Sequence, residues 1–85
     1  MPKVDGLEDL ENFVVYIVRS LVDNPRNVRI ETDVEGDSHV IRINCDKEDI
    51  GKVVGKRGKT IMAIRSLVSG AAGRLQKRVT VEVVD

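Results

Sequence analysis

Residues 50–61 read Ile50-Gly51-Lys52-Val53-Val54-Gly55-Lys56-Arg57-Gly58-Lys59-Thr60-Ile61. Two glycines flank two basic residues, at a point where one helical pattern stops and another begins. Glycine permits positive φ and leaves no Cβ in the way of an approaching ligand. The segment feeds the start of a long helix, whose free N–H groups and positive dipole end favour a phosphate. Lys56 and Arg57 add two full charges at the tip, with Lys52, Lys59 and Arg65 close by in sequence. This chemistry suits a phosphodiester backbone held at short range.

A nucleotide-hydrolysing loop shares some of these letters. Gly58-Lys59-Thr60 is the ending of a Walker A loop, which requires another glycine five positions before its last one. Position 53 is Val. The segment also follows a short helix, whereas a P-loop follows a buried strand.

Outward from this segment the chain divides by hydrophobic period. Leu7, Leu10, Val14, Ile17, Val18 and Leu21 recur at helical spacing and predict an amphipathic helix over 7–22. Asp5 with Glu8 has the form of a capping box, and Pro25 disfavours helix at the residue before it. Over 27–35, Val28, Ile30, Thr32 and Val34 alternate with charged residues, as a strand does. Gly36 and Asp37 supply a turn, and Ile41, Ile43 and Cys45 mark one face of a second strand over 39–45. Asp46 has the form of an N-cap for a short helix over 47–54, with Glu48 and Asp49 in its first turn. Ile61, Ile64, Val68, Ala71, Ala72 and Leu75 define the inner face of a helix over 59–76. Val79, Val81 and Val83 close the chain as a strand over 79–84. The order α–β–β–α–α–β implies an α+β fold, with three helices covering one face of a three-stranded sheet. A chain this short forms a single domain over residues 1–85.

Composition narrows the function. The 85 residues carry 14 basic and 14 acidic side chains. The balance is not local. Residues 1–46 sum to −5, residues 47–78 to +7 and residues 79–85 to −2. The positive block coincides with the helix–loop–helix unit. His39 and Cys45 are single residues of their kind, too few for a zinc site of about four ligands and too isolated for a nucleophile–histidine pair. The chain reads as non-enzymatic, without cofactor or metal, and with no small-molecule substrate. No apolar run reaches the length of about 18 residues that a membrane span needs, and the N-terminus lacks a signal-peptide core. A cytoplasmic protein is expected. Phe13 and Tyr16, both on the first helix, are the only aromatic residues and are expected at the core or its edge. The chain therefore lacks the aromatic platform on which many nucleic-acid binders stack bases.

The Gly-x-x-Gly loop between two helices, preceded by Ile-Gly-x-Val-Val and followed by an apolar Ile, resembles the signature of KH domains. The run 49–60, continued by Ala63-Ile64-Arg65-Ser66-Leu67-Val68, is similar to the small stand-alone bacterial KH proteins of the KhpA type. The element order resembles the type II form of the fold, with a mixed three-stranded sheet. The resemblance covers nearly the whole chain.

It implies binding of short single-stranded RNA, in RNA metabolism or as an RNA chaperone. Gly55, Lys56, Arg57 and Gly58 would clamp the backbone of about four nucleotides. Gly51, Lys52 and Val54 would flank the clamp from the helix before it, and Lys59 and Thr60 from the helix after it. Ile50, Val54 and Ile61 would floor or support a shallow groove for the bases, with Arg42 a candidate for the opposite wall. Arg74, Lys77 and Arg78 fall at the end of the long helix, where cations offset its dipole; a remote RNA contact is the alternative. Met62, Ser66, Ser69 and Gly73 share a different face of that helix. This stripe is either plain surface or an association face, and the resemblance favours a homodimer or a heterodimer with another KH-containing protein.

Overall fold

The computed structural model describes residues 6–85. Its elements are α1 (Leu7–Leu21), β1 (Arg29–Glu35), β2 (Ser38–Asn44), α2 (Ile50–Val54), α3 (Lys59–Arg74) and β3 (Arg78–Val83). Short 3-10 turns occupy Pro25–Asn27, Lys47–Asp49 and Lys56–Gly58. The α–β–β–α–α–β order is the one expected. Among the described residues, no helix is long and apolar enough to cross a membrane.

The hairpin turns on two residues. Gly36, with φ 63°, takes the first central position, where a left-handed backbone matches the strand twist. Glu35 then pairs with Ser38, and β1 and β2 run antiparallel. The chain returns through α2 and α3 before β3 joins β2 in parallel. The sheet is therefore mixed, with β2 in the centre.

One face of the sheet carries the core. Ile41 and Ile43 from β2, with Val79 and Val81 from β3, meet Leu10, Val14 and Val18 of α1, Val53 of α2, and Ile61, Ile64, Val68 and Ala72 of α3. Truncating one of the buried isoleucines to alanine costs about 2–5 kcal/mol in such settings. Several expected core positions lie outside this set. Tyr16 is 70 % exposed, Val34 is exposed near the hairpin turn, and Leu21, Ala71 and Leu75 also face outward. Each sits near the end of its element or at the margin of its apolar face, beyond the reach of the opposing layer. Phe13 is half-buried against the core.

Element limits moved for local reasons. Pro25 sets up a 3-10 turn over Pro25–Asn27, so β1 starts at Arg29, two residues later than the expected strand over 27–35. Gly6, with φ 74°, stands at the N-cap of α1, and the expected cap residue Asp5 lies outside the described residues. Asp46 takes the expected capping position but makes no side-chain cap; its carboxylate instead accepts two bonds from the Asn27 amide, at 3.1 and 3.0 Å. Helix α3 ends two residues early. The Lys77 N–H reaches Ala72 O at 2.9 Å and the Gln76 N–H reaches Gly73 O at 3.1 Å, a Schellman closure with Gln76 at φ 58°.

Asp49 is the one buried charged side chain among the described residues, with no exposed surface. Its carboxylate accepts the backbone N–H of Asp23 at 3.2 Å and of Asn24 at 3.0 Å, and the Asn24 amide at 3.1 Å. Lys52 Nζ stands 3.8 Å away. Asp49 thereby ties the end of α1 to the base of α2. Burial disfavours its charge, but the Asp23 and Asn24 bonds and the Lys52 charge outweigh burial and hold its carboxyl below the ordinary carboxylate value.

The α2–α3 turn rests on Gly55. Its φ of 79° and ψ of 171° are open only to glycine. A Cβ there would stand 2.2 Å from Thr60 Oγ1 and 2.9 Å from Thr60 N. Gly58, at φ 75°, has open space around it.

Two predictions follow the geometry. Gly55→Ala should destabilise the fold by about 2–4 kcal/mol in urea denaturation, combining strain and overlap, against about 1–2 kcal/mol for Gly58→Ala, which meets strain alone. For Asp49, a folded pKa below the unfolded one gives stability that is full above the unfolded value and lost as pH falls through the folded one. Between about pH 6 and about pH 3, the wild type should therefore lose more stability than Asp49→Asn. Equal losses in the two proteins would remove Asp49 as the acid-sensitive tether.

Candidate nucleic-acid interface

The loop at 55–58 is held by its backbone. The Gly55 N–H closes α2 on Gly51 O at 2.8 Å, and the Gly58 N–H returns to Gly55 O at 3.0 Å. Arg57 has φ 58° and ψ 26°, a left-handed conformation that costs a non-glycine residue free energy. Arg57 and Gly58 are thus two successive left-handed residues, which turn the chain sharply into α3. The Lys59 N–H is taken by Lys56 O, but no side-chain cap stands at the start of α3, so its dipole end stays open to an anion.

The charges at this end are free. Lys56, Arg57 and Lys59 are exposed, and among the described residues no ion pair reaches them. Lys52 differs. Its ammonium lies 3.3 Å from Asp23 and 3.8 Å from Asp49, so its charge is already answered by one carboxylate after α1 and one at the base of α2. Gly51 is exposed, with open space where a Cβ would sit. Thr60 is half-buried and lies under Gly55, in a position to buttress the loop.

The apolar residues near the loop separate by depth. Ile61 is buried and belongs to the core. Val54 is half-buried and packs on the core's edge, and Ile50 is half-buried at the start of α2. These two keep apolar surface in reach of a ligand. Arg65, on α3, donates from Nε to Val81 O at 2.9 Å and so bridges the helix to β3, the edge strand. Its place beside the loop in sequence gave no sign of that bond.

Arg42 does not fill the role of groove wall. It alternates with the core residues Ile41 and Ile43 and so lies on the sheet face away from the helices. There it bonds Asp33, Glu35 at 2.6 Å and Glu82 at 3.3 Å, spanning all three strands. The bond to Glu35 leads the effects that raise its pKa. Partial burial and the Asp49 and Asp46 carboxylates push the Cys45 thiol pKa up. Met62, Ser66, Ser69 and Gly73 are all exposed along α3.

A family model described as KhpA/KhpB, KH domain matches residues 11–83. Among similar proteins, the RNA-binding protein KhpA of Chlamydia pneumoniae is 42 % identical over 77 residues, which is 89 % of this chain and 97 % of that protein. The RNA-binding protein KhpA of Halalkalibacterium halodurans is 37 % identical over 76 residues, covering 89 % of this chain and all of that one. The Bacillus subtilis RNA-binding protein KhpA is 37 % identical over 78 residues, 92 % and 96 % of the two chains. The family model's match runs through the Gly55–Gly58 turn, both helices beside it and the whole mixed sheet. The chain accordingly belongs to the KhpA/KhpB KH domain family, a non-enzymatic kind of protein.

Proposed function

We propose that the protein is a cytoplasmic type II KH protein that clamps short single-stranded RNA with the Gly55–Gly58 loop and acts in RNA metabolism or as an RNA chaperone. The observation that carries this reading is the set of unpaired charges at Lys56, Arg57 and Lys59 around the uncapped start of α3. Phosphates would meet the loop's backbone and these side chains, with Gly51 leaving room for the strand to approach. Bases would rest on the half-buried apolar surface of Val54 and Ile50. The relatives' description as RNA-binding supports the ligand class. Lys52 then contributes little direct contact, because its charge is shared with Asp23 and Asp49.

The paired substitution Lys56→Asp with Arg57→Asp should abolish most RNA affinity in fluorescence anisotropy while circular dichroism stays native. Unchanged affinity would remove the loop from the binding site. With about three phosphate contacts, log K should fall by about 2 for a tenfold rise in salt, since single strands lose about 0.7 per contact. A slope near zero would count against a phosphate clamp.

An association face on α3 is a second part of the reading. Met62 and Leu67 are 59 % and 61 % exposed, and the positions of Gly70 and Gly73 are open to close approach. A second KH protein, identical or not, would gain contact there, and two linked clamps would bind one RNA with higher avidity. In sedimentation velocity, the wild type should show a concentration-dependent dimer, or a heterodimer with a KH-containing partner, that Met62→Glu weakens. A strict monomer under both conditions would remove this face.

A further inference from the structure

A cavity of about 430 Å³ opens at the far end of α3 from the loop. Its walls are Asp37 of the hairpin turn, His39 of β2, Gln76 and Lys77 of the α3–β3 connection, and Arg78 at the start of β3. Helix α3 has 16 residues, so at about 1.5 Å per residue it spans about 24 Å between its two ends.

Three observations give this cavity a chemical preference. First, its charges are unequal. Lys77 and Arg78 face one carboxylate, Asp37, and among the described residues no ion pair engages any of the three. Second, His39 Nδ1 is buried without a hydrogen-bond partner. The ring lies on the cavity wall, and an imidazole always has at least one N–H to offer an anion. Third, Gln76 occupies the left-handed position of the Schellman closure, with φ 58°. Glycine is the residue that position ordinarily takes, because it carries no Cβ penalty. Gln76 itself lines the cavity, and strain of this kind clusters at ligand sites.

We infer that this cavity is a second anion site, which takes a phosphate group on Lys77, Arg78, the Gln76 amide and His39. Donors outnumber the single carboxylate, so a cation finds no set of ligands here. That the phosphate belongs to an RNA strand already held by the Gly55–Gly58 loop rests on the RNA-binding reading above. The anion chemistry of the cavity does not.

The experiment is a two-dimensional NMR titration of the whole protein with inorganic phosphate, and separately with RNA of about four nucleotides and of about twice that length. Phosphate should shift the amides of His39 and of residues 76–78. Lys77→Gln with Arg78→Gln should weaken that binding about three- to tenfold, and Asp37→Asn should strengthen it. If the phosphate comes from RNA, the longer strand should also shift these amides and lose affinity in the Lys77/Arg78 variant, while the short strand is unaffected. Shifts with phosphate alone would assign the site to a free phosphate. Gln76→Gly separates binding from folding. It should raise the melting temperature by about 4–8 °C by removing the left-handed strain, yet lower phosphate affinity. A stabilised variant that binds phosphate as well as the wild type would show that Gln76 is no ligand. Absence of shifts at His39 and residues 76–78 with every probe would overturn the site, whether or not RNA binds the loop.

Discussion

The contact on which the rest depends is the approach of the Gly55 backbone to Thr60. The missing Cβ lets two helices meet end to end in a turn of four residues, with Thr60 Oγ1 filling the space. Because the turn is this tight, α2 and α3 both lie over the same sheet face and Val53, Ile61 and Ile64 enter one core. The same geometry points Lys56 and Arg57 away from that core. Fold and binding surface thus have one steric cause. A side chain at position 55 would push the helices apart and withdraw the charges from the start of α3 together.

Charge is distributed so that the cations at the loop end stay free while two others are neutralised. Arg42, on β2, is absorbed by carboxylates from the two flanking strands on the open sheet face. Lys52 is absorbed by Asp23 and the buried Asp49. Both lie in regions that the letters alone describe only as mixed charge. What remains at the loop end is Lys56, Arg57 and Lys59, on backbone fixed by hydrogen bonds. A neutral total of 14 against 14 weakens long-range attraction to any polyanion, so recognition falls to these short-range groups. The bulk charge, which argues against a polyelectrolyte binder, is compatible with a local clamp.

Much of this was legible in the sequence because the deciding signals are local. Strand alternation around Gly36 gave the hairpin, helical period gave α1 and α3, and the glycines at 55 and 58 gave the turn between α2 and α3. Periodicity failed where tertiary context decides. It placed Tyr16, Ala71 and Leu75 at the core, but a helix face is wider than the layer that covers it. It read Asp49 only as a first-turn carboxylate of the short helix. The partners that bury it, Asp23 and Asn24, stand 26 and 25 residues earlier, and no local pattern encodes that encounter. The Arg65 bond to Val81 O spans 16 residues and was hidden for the same reason.

Helix α3 is bounded by strain at both ends. Arg57 and Gln76 are the two non-glycine residues with positive φ among the described residues, and they stand just before the helix and just after it. Each occupies a position where glycine would relieve the backbone, so each costs the fold free energy that the core must supply. Gly58, beside Arg57, shows that the chain uses glycine where only the turn matters. Arg57 carries a charge at an exposed loop tip, and Gln76 lines a cavity. In both places the retained side chain can do something that glycine cannot. Stability is given up at the two ends of the one helix that links them, and the buried row Ile61, Ile64, Val68 and Ala72 between them is what makes that loss tolerable.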